Sequence, residues 1–124
     1  MVAQGLLRSE RPTIRVHCHD RVSEEQLAEL LLGIEEEGVP YQVSSHAELN
    51  PLDLAHQAAL DSRLGVGIGI SLNYAVVTLE KLPKERPYIA SFWNEDAEAD
   101  RLFGSNAARI VKRTPLRQIN ERNQ

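Results

Sequence analysis

The chain has 124 residues, the usual size of one domain, and its 14 Lys and Arg against 18 Asp and Glu leave a formal charge of −4. That acidic balance argues against a protein that holds nucleic acid through an overall basic field. With 42% apolar residues a core is available, the sole cysteine, Cys18, excludes an internal disulfide or a cysteine-rich zinc framework, and no apolar run approaches the roughly 18 residues of a membrane span.

A single domain over residues 1–124 is expected, without a signal peptide and therefore cytoplasmic. Residues 1–11 carry no period and read as a loose leader. Thr13-Ile14-Arg15-Val16-His17-Cys18 alternates and is β-rich, which predicts a strand. Ser23 opens a helix, with Gln26 completing a capping box, and Leu27, Leu30, Leu31 and Ile34 form its apolar stripe. Gly38 stops that helix, Pro40 prevents its return, and Tyr41 to Ser45 forms a second strand.

Asn50-Pro51 starts a second helix, with Leu52, Ala55, Ala59 and Leu60 as the expected buried stripe. Gly65 to Leu72 and Tyr74 to Leu79 are β-rich and so closely joined that an antiparallel hairpin follows. Leu82 to Pro87 reads as a loop and Tyr88 to Trp93 as a fifth strand. The last helix is expected from about Glu95 to Lys112, acidic at its start and basic at its end, with Ala99, Leu102, Phe103, Ala107, Ile110 and Val111 facing inward. Residues 115–124 read as a frayed tail. The order β-α-β-α-β-β-β-α predicts an α/β layered fold with a mostly parallel sheet and one antiparallel strand.

Several segments invite chemical readings. Gly65, Gly67 and Gly69 lie within a strand rather than before a helix, so they suit close helix packing and not a phosphate cradle. In His17-Cys18-His19-Asp20 the two histidines share one strand face while Cys18 takes the other, so the run cannot close around one metal ion. Asp96, Glu98 and Asp100 read as a solvated helix start, and no Gly-x-Ser-x-Gly elbow occurs. No catalytic residue emerges.

The most informative run is Leu31-Leu32-Gly33-Ile34-Glu35-Glu36-Glu37-Gly38-Val39-Pro40. At about 100° per residue, Glu36 points nearly opposite the apolar stripe, with Leu32 and Gly33 flanking it on the expected outer face. A mid-helix glycine costs about 1 kcal/mol, and beside a leucine it permits close approach by another surface. Leu32, Gly33 and Glu36 are therefore candidate partner-binding residues, and Glu37, rotated by about 100°, serves as the control for Glu36. The bland alternative is a solvated acidic helix end. Gly104-Ser105-Asn106-Ala107-Ala108 suggests tight packing of small residues on the last helix, with Asn106 as a buried hydrogen-bonding group.

The Gly33-Ile34-Glu35-Glu36-Glu37-Gly38-Val39-Pro40 run is followed by the glycine-bearing strand from Leu64 to Ser71. Then come Gly104-x-Asn106-Ala107-Ala108-Arg109-x-Val111-Lys112 and Pro115-Leu116. In that order they resemble the small subunit of the diol/glycerol dehydratase reactivating factor, over residues 13–119. The resemblance implies a Rossmann-like, anticodon-binding-type domain with five strands, the fourth antiparallel. It implies a non-catalytic, chaperone-like role beside a large subunit that binds and hydrolyses ATP. The complex would release damaged cobalamin from adenosylcobalamin-dependent dehydratases. It further implies that Glu36, the middle glutamate, reaches a Mg²⁺ shared with the large subunit, and that this chain binds no cofactor alone. The expected location is the cytoplasm, with a microcompartment as an alternative. The rival readings are a medium subunit of the dehydratase itself and an anticodon-binding-like module, the latter disfavoured by the acidic charge.

Overall fold

The computed structural model describes residues 12–118; the expected leader, and residues 119–124 of the expected tail, lie outside the described residues. Alternation makes β1 (Ile14–His19) two-faced, with Ile14, Val16 and Cys18 in the larger core and Arg15, His17 and His19 on the opposite face. α1 (Glu24–Glu36) begins at the expected capping box: Ser23 Oγ accepts from the Gln26 backbone N–H at 3.1 Å, and Gln26 Oε1 accepts from the Ser23 N–H at 2.9 Å. It ends before Gly38, whose φ of +78° belongs to the left-handed region that favours glycine.

β2 (Tyr41–His46) leads to α2 (Pro51–Asp61), where Asn50 Oδ1 accepts from the Leu52 N–H at 2.9 Å and Pro51 holds the first helical position. β3 (Val66–Ile70) and β4 (Tyr74–Leu79) form the expected antiparallel hairpin. β5 (Ile89–Phe92) and α3 (Ala97–Lys112) complete the chain, with Asp96 capping the helix and Arg113 closing it in the left-handed conformation. The sheet order is β2-β1-β3-β4-β5, with β4 alone antiparallel to its neighbours.

Because β2 and β3 flank β1 on opposite sides, right-handed crossovers send α1 and α2 to opposite faces of the sheet. α1 and α3 share one face over Ile14, Val16, Ile68, Ile70 and Val77. There Leu30, Ile34, Ile14, Ile68 and Ile70 are completely buried, each contributing roughly 1.5–3 kcal/mol. On the other face α2 lies directly on β3. A Cβ at Gly67 would strike the backbone of Ala58 and Ala59, and one at Gly69 the backbone of Pro51 and Ala55. The glycine strand is a helix seat, as its context in the sequence indicates.

Two expected stripes are corrected. On α2 the buried residues are Leu54, Ala55, Ala58 and Ala59, while Leu60 is 51% exposed. The seat on Gly67 and Gly69 selects the alanine face over the leucine one. On α3 the buried set is Asp100, Phe103, Gly104, Ser105, Ala107 and Ala108; Ile110 and Val111, partly covered, pack against the core as expected, whereas Ala99 and Leu102 are partly covered and lie outside that cluster. Asp100 is not part of a solvated helix start: its carboxylate accepts from the Asn94 N–H at 3.0 and 3.1 Å, and burial raises its pKa. It ties down a turn in which Asn94 has φ of 68°.

Candidate functional site

The three glutamates that end α1 have three different environments, and the helix pair α1/α3 decides which. Gly33 is buried against α3: a Cβ there would strike the Arg101 carbonyl and crowd the Ser105 nitrogen at 2.8 Å. Gly104 answers it from α3, where a Cβ would strike the Leu30 carbonyl. The two small-residue motifs thus face each other within one chain. This corrects the expectation that Gly33 lies on an outer, partner-facing surface; α3 already fills the space that glycine opens.

With α3 lying along the Gly33 line, α1 residues at about −60° and +40° from Gly33 flank it on either side. Glu36 takes the first direction and Glu37 the second. Glu37 is therefore enclosed. It accepts from Ser105 Oγ at 2.6 Å, Arg109 Nε at 2.9 Å and Lys112 Nζ at 2.9 Å, and Lys112 also reaches its backbone carbonyl at 3.0 Å. The hydrogen bond from Ser105, then those from Lys112 and Arg109, hold its carboxyl down to about 2. Glu37 is a structural hub, not the neutral control that the sequence makes of it. Glu35, on the third side, accepts from the Tyr41 hydroxyl at 2.9 Å.

Glu36 remains. It is 44% exposed, and its nearest cationic partner is Arg101, with Nη1 at 3.9 Å from Oε2, too far for a hydrogen bond. Arg101 is itself anchored, because Nε and Nη2 both donate to Glu29 Oε1, at 3.0 and 2.8 Å. Leu32, 37% exposed, lies one further step round the helix from the α3 contact. The structure therefore brings Leu32, Glu36, Glu29 and Arg101 to one outer face and removes Gly33 from it. Arg101 escapes the sequence reading because nothing in a single arginine on a distant helix announces its neighbour; the facing glycines, Gly33 and Gly104, are the available signal.

Among the described residues no three His, Cys, Asp or Glu groups converge to hold a metal. Glu36, exposed and among the described residues free of a short hydrogen bond, offers one hard oxygen of the kind a divalent cation takes. The histidine run behaves as a strand end. His17 stacks on His46 with ring centroids 4.1 Å apart and sits 3.6 Å from Asp61, while Cys18 points into the core. Burial, then the neighbouring His46, lowers the His17 pKa to about 4. Asn106, half-buried, holds the chain after α3: its Oδ1 accepts from the Arg117 N–H at 2.7 Å and its Nδ2 donates to the Arg117 carbonyl at 2.9 Å. Residues 115–117 are thereby fastened to α3, which corrects the expectation of fraying for that part of the tail.

Residues 11–117 match the family model described as dehydratase medium subunit. The chain is 42% identical over 92 residues to the diol dehydratase-reactivating factor small subunit of Klebsiella michiganensis, covering 74% of each chain. It is equally 42% identical over 91 residues to the propanediol dehydratase-reactivating factor small subunit of Salmonella typhimurium, covering 73% of this chain and 78% of that one. Its fold superposes on a chain of the diol dehydratase-reactivating factor solved with ADP and Mg²⁺, with a TM-score of 0.81 and 38% identity, over 87% of this chain and 99% of that one. The chain belongs to the dehydratase medium-subunit family, and its relatives there are small subunits of dehydratase-reactivating factors.

Proposed function

We propose that this chain is the small, non-catalytic subunit of an ATP-dependent factor that releases damaged cobalamin from an adenosylcobalamin-dependent diol or glycerol dehydratase. The observation that carries the reading is 42% identity over 74% of the chain to a reactivating-factor small subunit, joined to the same fold in a factor solved with ADP and Mg²⁺. ATP binding and hydrolysis are assigned to a large partner subunit; in this chain Gly67 and Gly69 seat α2 rather than cradle phosphate. Glu36 supplies one carboxylate to a Mg²⁺ shared with that subunit, and Leu32 packs in the same interface. The family's name supports a surface that the small subunit has in common with a dehydratase medium subunit, so dehydratase is the second partner. No helix among the described residues is long and apolar enough to cross a membrane.

Calorimetric titration tests this division of labour. The isolated chain gives no saturable heat with Mg-ATP, whereas the assembly copurified with its large subunit binds. Micromolar binding by the isolated chain would overturn the assignment.

A further inference from the structure

Beside Glu36 stands a second polar group that the sequence does not single out. We propose that Arg101 meets a phosphate oxygen of the partner's nucleotide while Glu36 meets the cation, so that this chain grips both halves of a metal–nucleotide complex. The proposal rests on the reading of Glu36 given above.

Three observations support it. Arg101 and Glu36 are adjacent on one exposed face, with Nη1 3.9 Å from Oε2 and side chains 42% and 44% exposed. The guanidinium is oriented in advance: two donors on one edge are taken by Glu29, leaving the Nη1 edge without a hydrogen bond among the described residues and turned toward Glu36. Its backbone is fixed as well, since the Arg101 carbonyl rests in the space that only a glycine at position 33 leaves open. The chemistry then matches. A carboxylate brought alone to a metal–nucleotide attracts the cation and repels the phosphate oxygens around it. A neighbouring guanidinium removes that repulsion and suits phosphate through its planar set of donors. Because Glu29 already holds Arg101, little side-chain freedom is lost on contact.

The test uses the complex with the large subunit, comparing Arg101→Gln, Arg101→Lys and Glu29→Gln with the unaltered chain. ADP affinity is read at saturating Mg²⁺, and the Mg²⁺ midpoint for subunit association is read at saturating ADP. Arg101→Gln should weaken ADP by about tenfold, the worth of one hydrogen bond to a charged group, with the Mg²⁺ midpoint unchanged. Arg101→Lys should recover part of that loss. Glu29→Gln, which keeps the guanidinium, should lose less than Arg101→Gln. ADP affinity within twofold of the unaltered complex in Arg101→Gln would overturn the proposal. So would a Glu29→Gln variant that reproduces the whole loss together with the same fall in melting temperature, because Arg101 would then be only a strut between helices. Failure of the Glu36 reading shows separately, as a Mg²⁺ midpoint that Glu36→Gln leaves in place.

Discussion

Replacing Glu37 with alanine should destabilise the fold far more than replacing Glu36, although the two are consecutive exposed-looking glutamates in the sequence. Glu37→Ala removes the acceptor of three donors. Ser105 is completely buried, so its O–H loses its acceptor without gaining water, while its oxygen still accepts from Arg117 Nη1 at 3.2 Å; the lost bond costs about 1.5 kcal/mol. Arg109 is 28% exposed and Lys112 39%, so both regain solvent; those pairs are worth about 1 and about 0.5 kcal/mol. The sum is about 3 kcal/mol at pH 7, or a fall of roughly 12 °C in melting temperature for a domain of this size. The pH dependence follows from the depressed carboxyl. A carboxylate whose folded pKa lies below its ordinary 4.5 contributes fully above that pH and loses its contribution as pH falls toward about 2. Urea unfolding of both forms from pH 7 to pH 3 should therefore show a constant gap that narrows below about pH 4.5. A gap under about 0.5 kcal/mol at pH 7, the range of an ordinary surface substitution, would refute the hub.

Gly33→Ala should lower stability by about 1–2 kcal/mol in thermal unfolding, because overpacking against the Arg101 backbone outweighs the roughly 1 kcal/mol that alanine gains within a helix; a raised melting temperature would contradict the tight α1/α3 contact. His17, buried and held neutral with its pKa lowered from 6.5 to about 4, makes the unfolded chain the better proton binder between those values. Stability is then full above about pH 6.5 and should drop by about 2 kcal/mol between pH 7 and pH 5. His17→Gln should flatten that slope, and an unchanged slope would place the proton elsewhere.

The topology is legible because its signals are local. The capping box at Ser23, the Asn50-Pro51 start and the tight Leu72-Asn73 junction each fix an element by chemistry within a few residues. The glycine strand is read correctly for the same reason: no helix follows it. What escapes is the second contact of α1. Its first contact, with the sheet, is written in leucines and isoleucine, and hydrophobic periodicity finds it. Its second, with α3, is written in one glycine and two glutamates, Gly33, Glu29 and Glu37, which periodicity scores as an outer surface. Gly33 is thus assigned from the sequence to a partner-facing surface and Glu37 to a neutral control position, although one is buried against α3 and the other is held by three donors. Glu36 keeps its outward place because it lies beyond both contacts, and Arg101 joins it only once the two helices are laid side by side.

The central claim is that Glu36 carries a metal link to a large nucleotide-binding subunit. It is tested most directly by measuring association of the two subunits against Mg²⁺ concentration, for the unaltered chain and for Glu36→Ala. Among the described residues Glu36 makes no short hydrogen bond, so the variant's stability should lie within about 0.5 kcal/mol of the original. The account predicts association that tightens with Mg²⁺ for the original chain and has lost that dependence in the variant. Equal Mg²⁺ dependence in both would contradict it and leave Glu36 as one more solvated charge at a helix end.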